Sequence, residues 1–226
     1  VPVMRAHAEV TAEIAKLPDG PETGALFDFD GTIIAGYSGL AIMQEQIRRR
    51  KMRVRDIVES ARAMASFSRG STSFSAMMVA TAQFMRGAPE QDYRELCNEL
   101  FVKEILKRIY PESRALVDAH LRKGHTVAIV SSATQYQVDP AAQNLNIEHV
   151  LCTRLVVEDG KFSGEVVRPT CFGEGKVRAA EELARATGMD LDKTFFYTDS
   201  DDDIQLLERV GNPRPTNPNR KLAAIA

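Results

Sequence analysis

The sequence predicts an α/β protein, a parallel sheet dressed with helices and carrying a helical cap inserted into the chain. Three observations predict it. Short apolar, β-rich runs alternate with helix-compatible segments, the order that builds a parallel sheet. Between about Ser38 and Tyr110 no strand alternation occurs, only helical runs, roughly four of them, broken at Arg69-Gly70-Ser71 and Gly87-Ala88-Pro89. Finally, three of the four strand-like runs end in reactive polar residues: Asp28 with Asp30, Ser131, and Asp199 with Asp203. Sheets of this kind bind their ligands beyond the carboxyl ends of the strands.

Along the chain, Met4, Val10, Ile14 and Leu17 fall at near-helical intervals before Pro18-Asp19-Gly20-Pro21 stops the run. This reads as an amphipathic helix outside the main domain. Residues 25–29 are mostly apolar and break at Gly31, a buried strand with an acidic pair at its tip. Pro111 suits the first turn of a helix reaching Lys123, and 126–130 form a second buried strand running into Ser131-Ser132. A helix at 134–144 precedes a short strand at 149–152, and β-rich runs on either side of Asp159-Gly160 carry a strong hairpin signal. A helix over 174–187 closes at Gly188, a strand over 194–198 ends in Asp199, Asp201, Asp202 and Asp203, and a helix through Arg209 leads into a Pro/Asn-rich tail. The expected organisation is a helix and linker at 1–23, an α/β core at 24–36 and 111–226, and a helical cap at 37–110.

Composition narrows the function classes. With 226 residues, 44% hydrophobic and 27% charged, the chain is neither disordered nor fibrous. A net charge of −2 supplies no global field for nucleic acid. Cys97, Cys152 and Cys171 lie too far apart for a disulfide framework or a zinc site, which favours reduced thiols and a cytoplasmic setting. No run approaches the ~18 apolar residues of a membrane span. The chain starts at Val1 rather than Met, the expectation for a processed or excised chain.

The acidic residues suggest the chemistry. Asp28 and Asp30 are two apart, so a persisting strand geometry points both carboxylates to one side, with Gly31 opening space for a ligand. Adding Asp199 at the same edge concentrates charge that a hard cation neutralises, and Mg²⁺ suits an oxygen-only set completed by water and phosphate. A cation-held phosphate lets one Asp attack phosphorus while the second protonates the leaving oxygen and later activates water. Ser131 and Lys176 add a hydroxyl donor and a fixed positive charge for phosphoryl oxygens.

In this order, Asp28-Phe29-Asp30-Gly31-Thr32, Ser131 after an apolar strand, Lys176, and Asp199-Ser200-Asp201-Asp202-Asp203 resemble the four motifs of the haloacid dehalogenase-like phosphatases. That resemblance implies a Rossmann-like core, and the insertion between the first and second motifs resembles the phosphoserine-phosphatase-like branch. More closely, Gly36-Tyr37-Ser38-Gly39, Thr170-Cys171-Phe172-Gly173-Glu174-Gly175-Lys176 and Tyr197-Thr198-Asp199-Ser200 resemble the phosphatase-like domain fused ahead of a lysophosphatidic acid acyltransferase in actinobacteria. It implies Asp28 as nucleophile and Mg²⁺ ligand, Asp30 as general acid/base with its backbone carbonyl on the metal, and Asp199 as third ligand. Asp203 is expected to act on the metal through water or to orient Lys176. Phosphate falls to Asp28, Thr32, Ser131, Ser132 and Lys176. Two positions depart from the phosphoserine pattern: Tyr37 stands where a Glu holds the substrate's amino group, and Ser132-Ala133 replaces paired glycines.

Other features read more plainly. Gly173-Glu174-Gly175-Lys176 is not a phosphate-binding P-loop, because Val177 follows the Lys. The run Arg48-Arg49-Arg50-Lys51-Met52-Arg53-Val54-Arg55 reads as a solvated helix end, with an anionic membrane surface as its functional alternative. Met64, Phe67, Phe74, Met77, Met78, Phe84 and Met85 read as helical core, with an acyl-chain pocket as the alternative. His7, His120, His125 and His149 show no metal spacing. The expected activity is a Mg²⁺-dependent phosphomonoester hydrolase acting through an aspartyl-phosphate on a small or amphiphilic substrate, a glycerophospholipid intermediate among them. Phosphoserine hydrolysis and a weakly active regulatory domain are the alternatives. Expected partners are the substrate, a fused acyltransferase, an anionic membrane at the inner face of the plasma membrane, and a second copy of the chain.

Overall fold

A computed structural model describes residues 2–50 and 54–225. Lys51, Met52 and Arg53 of the basic run lie outside the described residues. The chain begins with α1 (Pro2–Ala15) and enters the sheet at β1 (Thr23–Phe27). Helices α2 (Ser38–Arg48), α3 (Val54–Ser68), α4 (Phe74–Gln83) and α5 (Glu90–Lys103) follow, then a 3₁₀ turn at Ile105–Arg108 and α6 (Pro111–Arg122). Next come β2 (Thr126–Thr134), α7 (Gln135–Asn144), β3 (His149–Thr153), β4 (Leu155–Glu158), β5 (Lys161–Val166) and α8 (Glu174–Thr187). The chain closes through β6 (Asp190–Thr198), α9 (Ile204–Arg209), β7 (Asn212–Pro215) and α10 (Leu222–Ile225).

Five strands form one sheet in the order β3-β2-β1-β6-β7. Every pairing in it is parallel. All five residues of β1 are buried, as expected of a parallel strand covered on both faces. Alternation along the strands splits the core. Leu26, Ala128, Val130 and Phe196 pack with α8 and α9, while Ala25, Phe27, Val127, Ile129, Phe195 and Tyr197 face α6, α7 and the inserted helices. The chain leaves β1 in one direction for β2 and β3, then returns to its other side for β6 and β7. The crevice between the carboxyl ends of β1, β2 and β6 is therefore the switch point at which such sheets bind ligands.

Three expectations change. β1 ends at Phe27, so Asp28 and Asp30 lie in the loop beyond the strand rather than at its last residues. A fifth strand, β7, pairs Phe196 with Pro213 and Thr198 with Pro215. Two prolines hide it from a propensity reading, yet an edge strand tolerates them. And α1 does not stand apart: it packs on α6, Ile14 is fully buried in the core, and Glu13 pairs with Arg214 at 2.7 Å.

Besides the packing of α5 on α7, the inserted helices meet the rest of the chain at two further contacts. The β4–β5 hairpin, turning at Asp159-Gly160 with both φ values positive, grips the α4–α5 junction. Gly87 N–H donates to Phe162 O at 2.8 Å, Phe162 N–H to Ala88 O at 3.0 Å, and Glu90 N–H to Gly160 O at 2.9 Å. At the other place, Phe74 stacks on Phe172 at 4.4 Å while Phe67 meets both rings edge-on. Of the expected helical core, Met78 and Met85 pack inward, but Phe67 and Phe74 serve this contact and Met64 is 52% exposed.

Candidate active site

Asp28 opens the loop after β1, its backbone N–H donating to Tyr197 O at 2.9 Å. The loop then curls tightly, with Ile33 N–H and Ile34 N–H both returning to Phe29 O at 2.9 and 3.0 Å. Gly31 is essential to that shape. Its φ is +79°, and a Cβ there would lie 2.2 Å from Asp199 Oδ2, so the Asp199 carboxylate occupies space that any side chain would fill. The loops after β1 and β6 meet at this point. Thr32 Oγ1 donates to Asp199 Oδ1 at 3.3 Å across the same junction.

Lys176 reaches the site from the first turn of α8 and is only 3% exposed. That helix can start so close because Gly175 presses on Thr170, whose carbonyl oxygen would sit 1.9 Å from a Cβ. Lys176 Nζ bonds Asp28 Oδ1 at 2.9 Å and Asp203 Oδ2 at 2.9 Å. Thr198 Oγ1 donates to Asp203 Oδ2 at 2.6 Å. β2 runs past the expected 126–130 to Thr134, so Ser131 is buried within the strand, just before its register with β3 shifts; its Oγ accepts from Ala133 N–H at 3.1 Å, and Ser132 beside it is half-buried.

Asp30 turns the other way. Its Oδ1 accepts from Ser38 N–H at 2.7 Å and its Oδ2 from Ser38 Oγ at 3.2 Å. Ser38 is the first residue of α2, so the Asp30 carboxylate caps the helix that leads the insertion. Tyr37 precedes it, 62% exposed, its phenol pushed up by burial and then by the charges of Asp199 and Asp30.

Burial dominates the electrostatics. It pushes Asp28 up to about 7, with Lys176 pulling back, and Asp30 up to about 6 against the two Ser38 hydrogen bonds. It raises Asp199 and Asp202 as well, the latter helped by Asp201 and Asp203. Burial opposes the charge on Lys176, yet the facing Asp203 and Asp28 overcome it and hold the ammonium above its ordinary range. Among the described residues Asp30 and Asp199 have no ion-pair partner, so the crevice carries surplus negative charge.

A hard cation fits that surplus. No three acidic, His or Cys side chains converge on one point among the described residues. A cation here would rest on the Asp28 and Asp199 carboxylates and the Asp30 backbone carbonyl, leaving the rest of its shell to water and phosphate, as Mg²⁺ prefers. Asp203 stands apart from that set, because Lys176 and Thr198 hold its carboxylate.

The structure thus brings Asp28, Lys176 and Asp203 into one buried chain, with Asp30, Asp199 and Thr32 beside it and Ser131 on the neighbouring strand β2. The Thr32 hydroxyl donates to Asp199. Sequence reasoning gave no role to Ser38, Thr198 or Gln137. Gln137 carried a legible signal nonetheless, since Thr134-x-x-Gln137 is the spacing of a capping box, and that box is present.

The haloacid dehalogenase-like hydrolase family matches residues 25–208, and the chain belongs to it. Within that class it is a phosphatase. It is 33% identical over 203 residues to a probable phosphatase, Rv3661, of Mycobacterium tuberculosis, spanning 88% of this chain and 70% of that one. It is 28% identical over 207 residues to the phosphoserine phosphatase SerB1 of the same organism, spanning 89% and 67%. A solved phosphoserine phosphatase with a phospho-aspartyl intermediate analogue superimposes with a TM-score of 0.67 at 19% identity, covering 92% of this chain and 91% of that one, a likeness of fold.

Proposed function

We propose that the chain hydrolyses a small or amphiphilic phosphomonoester through a phosphorylated Asp28, with Mg²⁺ as cofactor. The observation that carries this reading is the opposed holding of the two acids. Asp28 is aligned by buried Lys176, while Asp30 is held apart from that pair by Ser38. Asp28 attacks phosphorus and the ester bond breaks, its oxygen taking a proton from Asp30. Asp30 then removes a proton from water, which attacks the phosphorus of the aspartyl-phosphate and regenerates the Asp28 carboxylate. Lys176 and the Ser131 hydroxyl hold phosphoryl oxygens as charge shifts onto them. Asp203, bonded to Lys176 and Thr198, keeps the ammonium from swinging away. Mg²⁺, held by Asp28, Asp199 and the Asp30 carbonyl, would neutralise phosphate charge that otherwise repels the nucleophile. Residues 37–110 act as a cap that excludes water and contacts the substrate's organic part.

The names of relatives favour phosphoserine as a second reading, while Tyr37, a neutral and exposed side chain beside the site, offers no charge for an ammonium group. A lipid-pathway substrate, an acyltransferase fused beyond this chain, a second copy and an anionic membrane belong to the same reading. The membrane contact is limited by the ion pairs that Arg48 makes with Glu45, and Arg49 with Glu45 and Glu99. The test is phosphate release from 4-nitrophenyl phosphate, phosphoserine, glycerol phosphate and lysophosphatidate, with Mg²⁺ or chelator, in wild type and Asp28→Asn. Metal-dependent release abolished by the substitution supports the reading. Release that survives the substitution or the chelator rejects it.

A further inference from the structure

Outside the four motifs, one side chain is wired to the acid/base. Gln137, in the first turn of α7, uses Oε1 to accept both Thr134 N–H at 2.8 Å and Thr134 Oγ1 at 2.8 Å. A backbone N–H can only donate, so this end of the amide is oxygen and the other end is fixed as NH₂. That Nε2 donates to Ser38 Oγ at 2.8 Å. The Ser38 hydroxyl, with a lone pair occupied by Gln137, directs its proton to Asp30 Oδ2 at 3.2 Å. Every link therefore has one direction, from the β2–α7 junction through Gln137 and Ser38 to the carboxylate. Ser38 is buried, so water does not compete for its hydroxyl. The approach is also close: a Cβ on Gly39, the next residue of α2, would sit 3.6 Å from Gln137 Nε2.

The geometry points to Gln137 and Ser38 as positioning residues for the proposed reaction, a polarised relay that holds the Asp30 carboxylate in the orientation from which it serves the leaving oxygen. This deepens the phosphatase reading given above and rests on it. Neither residue belongs to the set proposed to hold phosphate. They act through the rotamer of Asp30, and the same relay ties the start of the inserted helices to Thr134, the last residue of β2. A carboxylate free to rotate would spend most of its time aimed elsewhere, and the loss would fall on the step in which the departing oxygen needs a proton.

Leaving-group dependence separates this role from a merely structural one. An alkoxide requires protonation as it leaves; 4-nitrophenolate, a stable anion, does not. Gln137→Glu is the sharpest variant. Its carboxylate keeps the bonds from Thr134 but presents an acceptor to Ser38, which turns the Ser38 proton away from Asp30. Ser38→Ala removes the last link. Single-turnover release of alcohol from β-glycerol phosphate and of phenol from 4-nitrophenyl phosphate is measured in Mg²⁺ for wild type, both variants and the double variant. The expected result is a fall on the order of tenfold or more for the alkyl ester, a change below about threefold for the aryl ester, unchanged KM, and no added loss in the double variant. Equal losses on both esters, or none in protein with a wild-type thermal midpoint, would overturn the relay while leaving the phosphatase reading intact. A wild type that releases neither leaving group, or an Asp28→Asn variant as fast as wild type, would bring down that reading and the relay together.

Discussion

Lys176 sits between Asp28 and Asp203 with almost no water, so its removal strands two carboxylates in the interior. Breaking such a buried pair costs about 3–5 kcal/mol. Lys176→Met should lower the thermal midpoint markedly at pH 7, and the deficit should shrink toward pH 5, because burial pushes Asp28 up to about 7 and its protonation relieves the repulsion that the unfolded chain tolerates. A deficit independent of pH would mean that lost packing, not charge, is responsible. His120 makes a second residue-scale case. His125 Nε2 donates to Pro18 O at 3.0 Å, which leaves His125 Nδ1 to accept from His120 Nδ1–H at 2.8 Å, and His120 Nε2 to accept from Tyr197 Oη–H at 3.1 Å. Burial disfavours charge on both rings, which keeps them neutral in this arrangement. Burial holds His120 down at about 3, against about 6.5 in an unfolded chain. The unfolded state thus takes the proton first: the stability this ring contributes is complete above about pH 6.5 and is lost as pH falls toward 3. Nitrogen-detected NMR should find the Nδ1–H tautomer of His120 persisting at pH 5, and urea midpoints should fall from pH 7 to 5. A protonated His120 at pH 6 would contradict the chain of donors. None of this was legible from sequence, where four scattered histidines without metal spacing look alike; the pairing arises only because the turn after α6 folds His125 back beneath His120.

At the scale of elements, the acidic tips were readable because apolar runs of buried strands are hard to mistake, and their last residues break the pattern abruptly. The edge strand β7 was not, since Asn212-Pro213-Arg214-Pro215 has no apolar alternation and is recruited by a free edge of β6. The contact between Phe67, Phe74 and Phe172 was also hidden: two residues come from the insertion and one from the loop that delivers Lys176. Ser75 Oγ meets Thr170 Oγ1 at 2.6 Å beside it. Aromatic pairs of this kind contribute about 0.5–1.5 kcal/mol each beyond their burial. Phe172→Ala loses two of the pairs, so it should raise KM severalfold and speed proteolysis within residues 54–73, while the β4–β5 hairpin keeps α4 and α5 in place. Unchanged KM with unchanged cleavage would show that the aromatic contact does not hold the insertion closed.

For the whole molecule, the arrangement depends on two loops from distant parts of the chain meeting over one glycine. Gly31→Ala forces a methyl into the Asp199 carboxylate and an L residue into a positive φ, so the loops after β1 and β6 must separate. The fold should survive with reduced stability, and the rise in thermal midpoint that Mg²⁺ produces in wild type should largely vanish. A full Mg²⁺ response in that variant would remove Asp199 from the cation site. The helix-capping acid and the relay behind it were beyond sequence reading for a related reason: Ser38 and Gln137 are separated by the insertion, by α6 and by β2, and only the closed fold brings them into contact. What the sequence carried was the order of the motifs. Their mutual orientation comes from parallel pairing of β2, β1 and β6.

In the proposed reaction Asp28 takes the phosphoryl group. This step is tested most directly by acid-quenching the enzyme during a single turnover of a ³²P-labelled phosphomonoester with Mg²⁺ and mapping the label after proteolysis. The account predicts a hydroxylamine-labile label on the peptide containing Asp28, absent in Asp28→Asn and absent with chelator. Turnover without any trapped label under conditions that slow dephosphorylation, or a label on Ser131 or another residue, would contradict it.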